Sequence, residues 1–190
     1  MLLGFYNYTV LLTYLGMLIS FAGIILTMQG SPYAALICLL LSGICDMFDG
    51  RVAATKVRTR QEKCFGIQID SLSDLICFGV LPALIVCQLA GANFFSCVLG
   101  GLYLLCALIR LAWFNVDEAE RQSGSSNARE FYQGLPVTSS ALIFPATLGL
   151  ARLFNWPLPL FALSAMLLTA LAFLLPFKLQ KPRLPMQIAM

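Results

Sequence analysis

Residues 46–74 read DMFDGRVAATKVRTRQEKCFGIQIDSLSD and carry four of the nine acidic residues of the chain. The acids form two pairs, Asp46 with Asp49 and Asp70 with Asp74, and a long apolar stretch adjoins each pair. Ionisable groups at membrane depth are costly, so each is a functional candidate that needs a partner. The sequence therefore raises the question of what holds four carboxylates together beside a lipid bilayer.

The composition indicates an integral membrane protein. Of the 190 residues, 59% are hydrophobic and 11% are charged, whereas about a quarter of a soluble domain is charged. The chain has no histidine, which removes the most frequent general base and metal ligand. Acid–base chemistry would fall to carboxylates, and a bound metal would be a hard cation held by oxygen.

Apolar stretches of about 20 residues can cross a bilayer as helices. The pattern predicts an all-α integral membrane protein with six transmembrane helices, forming a single domain over residues 1–190. The second span continues as a helix into the first aspartate pair. The predicted spans are 10–28, 33–55, 65–90, 94–116, 135–153 and 158–177.

Basic residues predict the orientation, because cytoplasmic loops carry an excess of lysine and arginine. Ten of the twelve basic residues fall on one side of the predicted spans, which places both termini and the aspartates at the cytoplasmic face, as in a prokaryotic plasma membrane. Residues 117–133 are expected to be a flexible cytoplasmic linker, and residues 178–190 a basic C-terminal tail. The ten are Arg51, Lys56, Arg58, Arg60, Lys63, Arg121, Arg129, Lys178, Lys181 and Arg183.

The spacing of the aspartates predicts one acidic cluster. Asp46 and Asp49 are three residues apart and Asp70 and Asp74 are four apart, so on helices each pair shares one face. A hairpin through residues 51–65 would bring the two faces together. Neighbouring carboxylates cannot all stay ionised without a neutralising partner. Mg²⁺ or Mn²⁺ fits that need, and two ions about 4 Å apart suit phosphoryl-type transfer.

Small residues adjoin the acids and leave two interpretations open. Gly50 follows Asp49, Ala53 and Ala54 lie on the next turn, and Gly66 precedes Asp70 by one turn. Small residues serve tight helix packing in membranes. They would equally leave room for a flat, bulky ligand such as a nucleotide.

This stretch resembles the signature of the CDP-alcohol phosphatidyltransferase family, D-x-x-D-G-x-x-A-R followed by G-x-x-x-D-x-x-x-D. The chain departs from it twice, because Ala54 stands at the arginine and the gap over residues 55–65 is eleven residues, three longer than usual. In the family that arginine lies near the phosphates of the CDP-lipid. The matching positions are Asp46, Asp49, Gly50, Ala53, Gly66, Asp70 and Asp74.

Within the family, three further stretches resemble the membrane-embedded phosphatidylserine synthases. They are FGIQIDSLSDLICFGVLPA at 65–83, IRLAWFN at 109–115 and QGLPVTSSA at 133–141. The resemblance implies transfer of a phosphatidyl group from CDP-diacylglycerol to the hydroxyl of L-serine, with release of CMP. It also implies membrane lipids as surroundings and a homodimer. No nucleic-acid partner is expected.

The resemblance also implies roles for individual residues. Asp46, Asp49 and Asp70 would bind two Mg²⁺ or Mn²⁺ ions, and Asp74 would lie near the second ion and act as the general base on serine. Gly50, Ala53 and Gly66 would make room for the cytidine. Arg51, Lys56 and Arg58 are candidates to replace the positive charge missing at Ala54.

The acceptor alcohol would meet a second group of residues. Arg110 is a basic residue inside a predicted span, suited either to pair with an aspartate or headgroup or to bind the serine carboxylate or the lipid phosphate. Asn115, Thr138 and Ser139 are candidates for the same pocket, although hydroxyls in membrane helices often bond their own backbone.

Three alternative functions remain open. The acceptor could be glycerol 3-phosphate or an inositol instead of serine. The chain could be a non-catalytic relative that still binds CDP-lipids, as the alanine at position 54 suggests. The carboxylates could instead serve a cation transporter, although the inverted repeats and broken helices of transporters are not evident.

Overall fold

The computed structural model describes residues 4–124, 131–176 and 178–180. These residues are almost entirely helical. A π-helical segment, Leu75–Val80, joins the third and fourth helices without a break, and short 3₁₀ turns precede the first and sixth. The helices are α1 (Leu11–Met28), α2 (Pro32–Ala54), α3 (Arg60–Asp74), α4 (Leu81–Leu89), α5 (Phe94–Gly124), α6 (Ser140–Leu153) and α7 (Leu158–Leu174).

The lengths and composition of the described helices indicate a multi-pass membrane protein. Four of them are long and apolar enough to cross a bilayer: Tyr8–Met28, Pro32–Ala54, Arg60–Leu89 and Phe94–Glu120. The last two apolar helical stretches, Val137–Leu153 and Leu158–Leu174, are shorter. At 1.5 Å per residue the 17 residues of α7 extend about 26 Å, against a hydrocarbon core of about 30 Å. Four of the predicted spans thus coincide with helices that are long and apolar enough to cross a bilayer. The number of six spans and the orientation of the termini stay predictions.

Helices α1 and α2 pack closely because α1 buries a row of small residues, from Thr13 to Thr27. A Cβ atom on Gly23 would lie 2.9 Å from the Cβ of Cys38, and one on Gly16 would lie 3.3 Å from the Cβ of Cys45. Small residues permit such approach, which matters in lipid because apolar burial does not drive helices together there. This packing places the first turn of α1 beside the end of α2.

Helix α3 begins at Arg60, five residues before the start predicted at residue 65. Thr59 and Glu62 form a capping box, in which the Glu62 N–H donates to the Thr59 hydroxyl at 3.2 Å and the Thr59 N–H donates to the Glu62 carboxylate at 2.9 Å. The predicted start lay too far along the chain because it was placed at the first apolar residues, whereas a capping box can start a helix in polar sequence. The loop from α2 to α3 is therefore only residues 55–59.

The π-helical segment directly follows Asp74, and a proline explains its unusual hydrogen bonding. Pro82 has no N–H, so the Phe78 carbonyl lacks its α-helical donor four residues on. Two buried side chains donate to this carbonyl instead, the Tyr103 hydroxyl at 2.6 Å and the Ser140 hydroxyl at 3.2 Å. Tyr103 also contacts Phe144 edge-on, with ring centroids 5.6 Å apart. These contacts hold the segment against α5 and α6.

The prediction of a flexible linker over residues 117–133 was wrong at both ends. Helix α5 continues to Gly124, and Phe131–Gln133 forms a short strand, β1. Strand β1 pairs antiparallel with a second strand, β2 (Lys178–Gln180), in the register Phe131↔Gln180. The all-α prediction missed this pair, in which the first residues of the predicted tail take part. Residues 125–130 and 181–190 lie outside the described residues.

Candidate functional site

The aspartates predicted to meet do form one cluster. Asp46 and Asp49 lie near the end of α2, and Asp70 lies in the last turns of α3. One carboxylate oxygen from each of these three lies within 4.8 Å of the others. All three side chains are half-buried. The structure thus confirms that the two spacings place both pairs on facing sides of a hairpin.

Asp74 completes the cluster. Its carboxyl group lies beside that of Asp46, and the carboxyl groups of Asp49 and Asp70 also lie side by side. Each α2 acid thus faces an α3 acid. They enclose a cavity of about 10 Å³, which is about the space that one water-sized species needs. Its lining comprises Leu12, Thr13, Gly16, Ser42, Asp46, Asp49, Asp70, Ser73, Asp74, Cys77 and Phe78.

The donor set of this cluster suits a hard divalent cation. Carboxylate and hydroxyl oxygens are the ligands that Mg²⁺ and Mn²⁺ prefer. In the described part of the chain, no lysine or arginine forms an ion pair with any of the four carboxylates, and their charged neighbours are one another. Like charges held this close need cations or protons to offset their repulsion. The residues present therefore fit the metal that the sequence predicts.

Sequence reasoning missed a further member of the site, Thr13. The Thr13 hydroxyl on α1 donates to Oδ2 of Asp49 at 3.1 Å. Threonine hydroxyls in membrane helices often bond their own backbone, so nothing in the sequence singled it out. The row of small residues on α1 indicates close packing of α1 against α2, but it does not point to Thr13 in particular.

The motif glycines have different surroundings. A Cβ atom on Gly50 would have no neighbour within 4 Å, so tight packing does not account for this glycine. A Cβ atom on Gly66 would lie 3.3 Å from Nη1 of Arg58, the end of a flexible side chain. Ala53 is half-buried on the last turns of α2. At Gly50 the structure therefore favours open space over helix packing.

Two of the three basic residues that are candidates to replace the charge missing at Ala54 lie at the end of α2 and in the loop after it. Arg51 is exposed, and its guanidinium lies 5.6 Å from the ring centroid of Phe48 on the same helix. Lys56 donates from Nζ to Glu62 at 3.0 Å. Lys56 is thus already engaged by a carboxylate.

Of the residues predicted for the alcohol pocket, Arg110 lines a different cavity from the aspartates. Arg110 on α5 is 8% exposed, and its Nε donates to the Leu135 carbonyl at 3.1 Å. It lines a cavity of about 240 Å³ whose other walls are apolar and include none of the four acids. Thr138 and Ser139 lie in the 3₁₀ turn before α6, where the Ser139 hydroxyl donates to the Pro136 carbonyl at 2.6 Å.

Asn115 is the member of that group tied to the acidic cluster. Its side-chain oxygen accepts a hydrogen bond of 2.7 Å from the hydroxyl of Ser71, the residue after Asp70. Arg110 and Asn115 are five residues apart on one helix, so they point about 140° away from each other. A shared pocket for both residues stays a prediction.

The signature stretch and the acidic cluster agree with a comparison against protein families. A family model described as CDP-alcohol phosphatidyltransferase matches residues 6–177. The chain belongs to the CDP-alcohol phosphatidyltransferase family. The match includes all seven helices, so the family assignment covers the fold as well as the aspartate motif.

The chain also matches curated relatives at 31–38% identity. The chain is 38% identical over 107 residues, 55% of its length, to CDP-diacylglycerol–serine O-phosphatidyltransferase of Saccharomyces cerevisiae. It is 36% identical over 123 residues, 64% of its length, to archaetidylserine synthase of Methanothermobacter thermautotrophicus. It is 35% identical over 130 residues, 65% of its length, to CDP-diacylglycerol–serine O-phosphatidyltransferase of Helicobacter pylori. The matches span 38%, 49% and 50% of these relatives, so the chain matches half of their length or less.

Proposed function

We propose that this chain transfers a phosphatidyl group from CDP-diacylglycerol to the hydroxyl of L-serine, giving phosphatidylserine and CMP. The observation that carries the proposal is the cluster of four carboxylates that α2 and α3 build within the family signature. A cluster of oxygen donors without a described basic partner suits metal-assisted chemistry on phosphate groups. Cation transport would use similar carboxylates, and membership of the family favours phosphatidyl transfer.

Asp46, Asp49 and Asp70 would hold two Mg²⁺ or Mn²⁺ ions, with Asp74 near the second. When bound, such ions offset the negative charge on the phosphate oxygens at the reacting phosphorus. The hydrogen bond from Thr13 to Asp49 at 3.1 Å would fix one oxygen of this carboxylate and leave the other for the ion.

Asp74 would act as the general base. It accepts the proton of the serine hydroxyl, the serine oxygen bonds to the β-phosphorus that carries the lipid, and the bond from that phosphorus to the bridging oxygen breaks. The electron pair leaves with CMP. A carboxylate within hydrogen-bond reach of the hydroxyl can perform this transfer in the absence of histidine.

The substrates would lie around this cluster. The cytidine would lie along the open backbone at Gly50 and beside Ala53 and Gly66, with Arg51 and Lys56 near the phosphates. The acyl chains would remain in lipid, and serine would enter from the cytoplasm. Arg110, Asn115, Thr138 and Ser139 are proposed for the acceptor side, and a homodimer is the proposed assembly.

The names of the relatives support serine as the acceptor more strongly than they support the lipid. The relatives from yeast and Helicobacter pylori are named for transfer to serine, and the archaeal relative is named an archaetidylserine synthase. All three names include serine, whereas the lipid they name is diacylglycerol-based in two and archaetidyl in the third. Another acceptor of the family, glycerol 3-phosphate or an inositol, is the alternative.

An acceptor panel tests the proposal. The purified protein in lipid nanodiscs is given CDP-diacylglycerol with L-serine, glycerol 3-phosphate or myo-inositol, and CMP release is measured. We expect CMP with serine and Mg²⁺ or Mn²⁺, and no CMP after EDTA. CMP with another acceptor alone would overturn serine, and metal-independent release would overturn the role of the cluster. Metal titration by calorimetry tests the two-ion stoichiometry.

A further inference from the structure

The position of the motif arginine is occupied by Ala54, which is exposed at the end of α2. Helix α2 therefore offers no guanidinium at the point where the family signature has one. If the chain binds a CDP-lipid, a positively charged side chain beside the two phosphates of that lipid would form strong, charge-assisted hydrogen bonds with them. The source of that charge can be sought among the basic side chains around the loop from α2 to α3.

Arg58 is positioned to supply this positive charge, because its guanidinium lies beside the signature. Its Nη1 lies 3.3 Å from where a Cβ atom of Gly66 would be, so the guanidinium lies against the motif glycine. Gly66 precedes Asp70 by one helical turn and shares its face of α3. The side chain of Arg58 is half-buried, and its Nε is fully buried without a hydrogen-bond partner among the described residues.

The loop holds Arg58 at this position. The Glu62 carboxylate accepts hydrogen bonds from the Thr59 N–H at 2.9 Å, Lys56 Nζ at 3.0 Å and Asn7 Nδ2 at 3.1 Å. These bonds fix residues on both sides of Arg58 along the loop, and they tie the loop to the N-terminal segment. The backbone that carries Arg58 is therefore anchored, while its Nε has no hydrogen-bond partner in the described part of the chain.

The neighbouring basic side chains are less suited to the role. Lys56 is paired with Glu62, and Arg51 is exposed over the ring of Phe48. A buried guanidinium N–H without an acceptor is unfavourable, and an anionic ligand beside it would remove that cost. Arginine is also better suited than lysine to bind two phosphate oxygens at once.

We propose that Arg58, from the loop, binds the diphosphate of the nucleotide and replaces the arginine that α2 lacks at position 54. This inference rests on the proposed function in taking a cytidine diphosphate lipid as the ligand. Arg58 is a binding residue in this proposal. The longer gap between the two halves of the signature would then be the feature that lets a loop side chain reach back over Gly66.

Nucleotide binding tests the proposal without turnover. Cytidine, CMP and CDP compete with a fluorescent CDP-lipid for the full-length protein in nanodiscs with Mg²⁺. We expect Arg58→Gln to weaken CDP binding about tenfold, the worth of one charge-assisted hydrogen bond, and to leave cytidine binding unchanged. Arg58→Lys should weaken it less. Arg60→Ala, at an exposed residue two positions on, is the matched control and should bind CDP as the wild type does.

A second substitution separates a phosphate contact from a packing role. Ala54→Arg should restore CDP binding in the Arg58→Gln background, because it returns the charge from α2, and should add little to the wild type. Unchanged CDP binding in Arg58→Gln would overturn the proposal, as would an equal loss of cytidine and CDP binding. Absence of CMP release from the wild type with every acceptor would overturn the proposed function but leave this binding result standing.

Discussion

The Thr13 hydroxyl on α1 donates to the Asp49 carboxylate on α2 at 3.1 Å, so α1 supports the acidic cluster without contributing an acid of its own. Partners that orient a metal ligand typically change metal affinity about 10–100-fold when they are removed. We expect Thr13→Val to raise the Mg²⁺ concentration for half-maximal CMP release about tenfold, at the lower end of that range. A Mg²⁺ titration of serine-dependent turnover measures the shift.

Thr27→Val is the matched control for that experiment. Thr27 is buried on the same helix, and its hydroxyl donates to the Gly23 carbonyl of α1 at 2.9 Å. The two threonines are fourteen residues apart, or about 21 Å along the helix. The Thr27 variant should keep the wild-type Mg²⁺ requirement. An equal shift in both variants would mean that Thr13 acts through helix packing.

Asp74→Asn separates proton transfer from binding. Asparagine keeps the size of the side chain but does not accept the serine proton, so we expect turnover to fall at least about a hundredfold. The three remaining acids still form the metal group, so CDP-diacylglycerol should still bind in a Mg²⁺-dependent way. Single-turnover CMP release and fluorescent-lipid binding measure the two effects.

Asp49→Asn is the comparison for Asp74→Asn. Asp49 belongs to the group of three close carboxylates, so its loss should weaken Mg²⁺-dependent lipid binding as well as turnover. If Asp74→Asn weakens lipid binding as much as Asp49→Asn does, Asp74 acts mainly as a metal ligand. The general base is then another residue.

The shared carbonyl of Phe78 predicts non-additive stability effects. Tyr103→Phe should cost about 1 kcal/mol of unfolding free energy, because Ser140 still donates to this carbonyl. The double variant with Ser140→Ala leaves it without a side-chain donor and should cost more than the two single changes together. Pro82→Ala in the double background returns a backbone N–H four residues on and should recover part of the loss. Unfolding in mixed micelles, followed by circular dichroism, measures all four.

The sequence predicted the acidic cluster because that inference needs only helical spacing and a hairpin. Asp46, Asp49, Asp70 and Asp74 lie where their spacings of three and four residues place them. The capping box at Thr59 was equally open to prediction, since its pattern is local. A prediction based on hydropathy alone misses this helix start, because a helix can begin in polar sequence before it enters the membrane.

Other parts of the site depend on contacts between helices that the sequence does not encode locally. Thr13 meets Asp49 across two helices, and Arg110 lies in a cavity separate from the acids because the rotation of α5 directs it there. Strands β1 and β2 pair residues about fifty positions apart. Each contact follows from packing of the whole chain, so local spacing gave no signal for it.

The approach of α2 to α6 gives a stability prediction with opposite signs at two glycines. A Cβ atom on Gly43 would lie 2.6 Å from the Cβ of Ala141, whereas one on Gly149 would have no neighbour within 4 Å. Gly43→Ala should therefore destabilise the protein by about 1–3 kcal/mol through overpacking. Gly149→Ala should stabilise it by up to about 1 kcal/mol, because alanine favours a helix. Thermal unfolding in detergent compares the two.

The Gly43→Ala substitution should also affect the acidic cluster, because Gly43 precedes Asp46 by three residues on α2. Pushing α2 away from α6 would move Asp46 relative to α3, so Gly43→Ala should reduce Mg²⁺-dependent turnover as well as stability. Adding Ala141→Gly removes the opposing Cβ and should recover both. A loss of stability in Gly43→Ala with turnover unchanged would show that the α2–α6 contact supports the fold while the acids align independently of it.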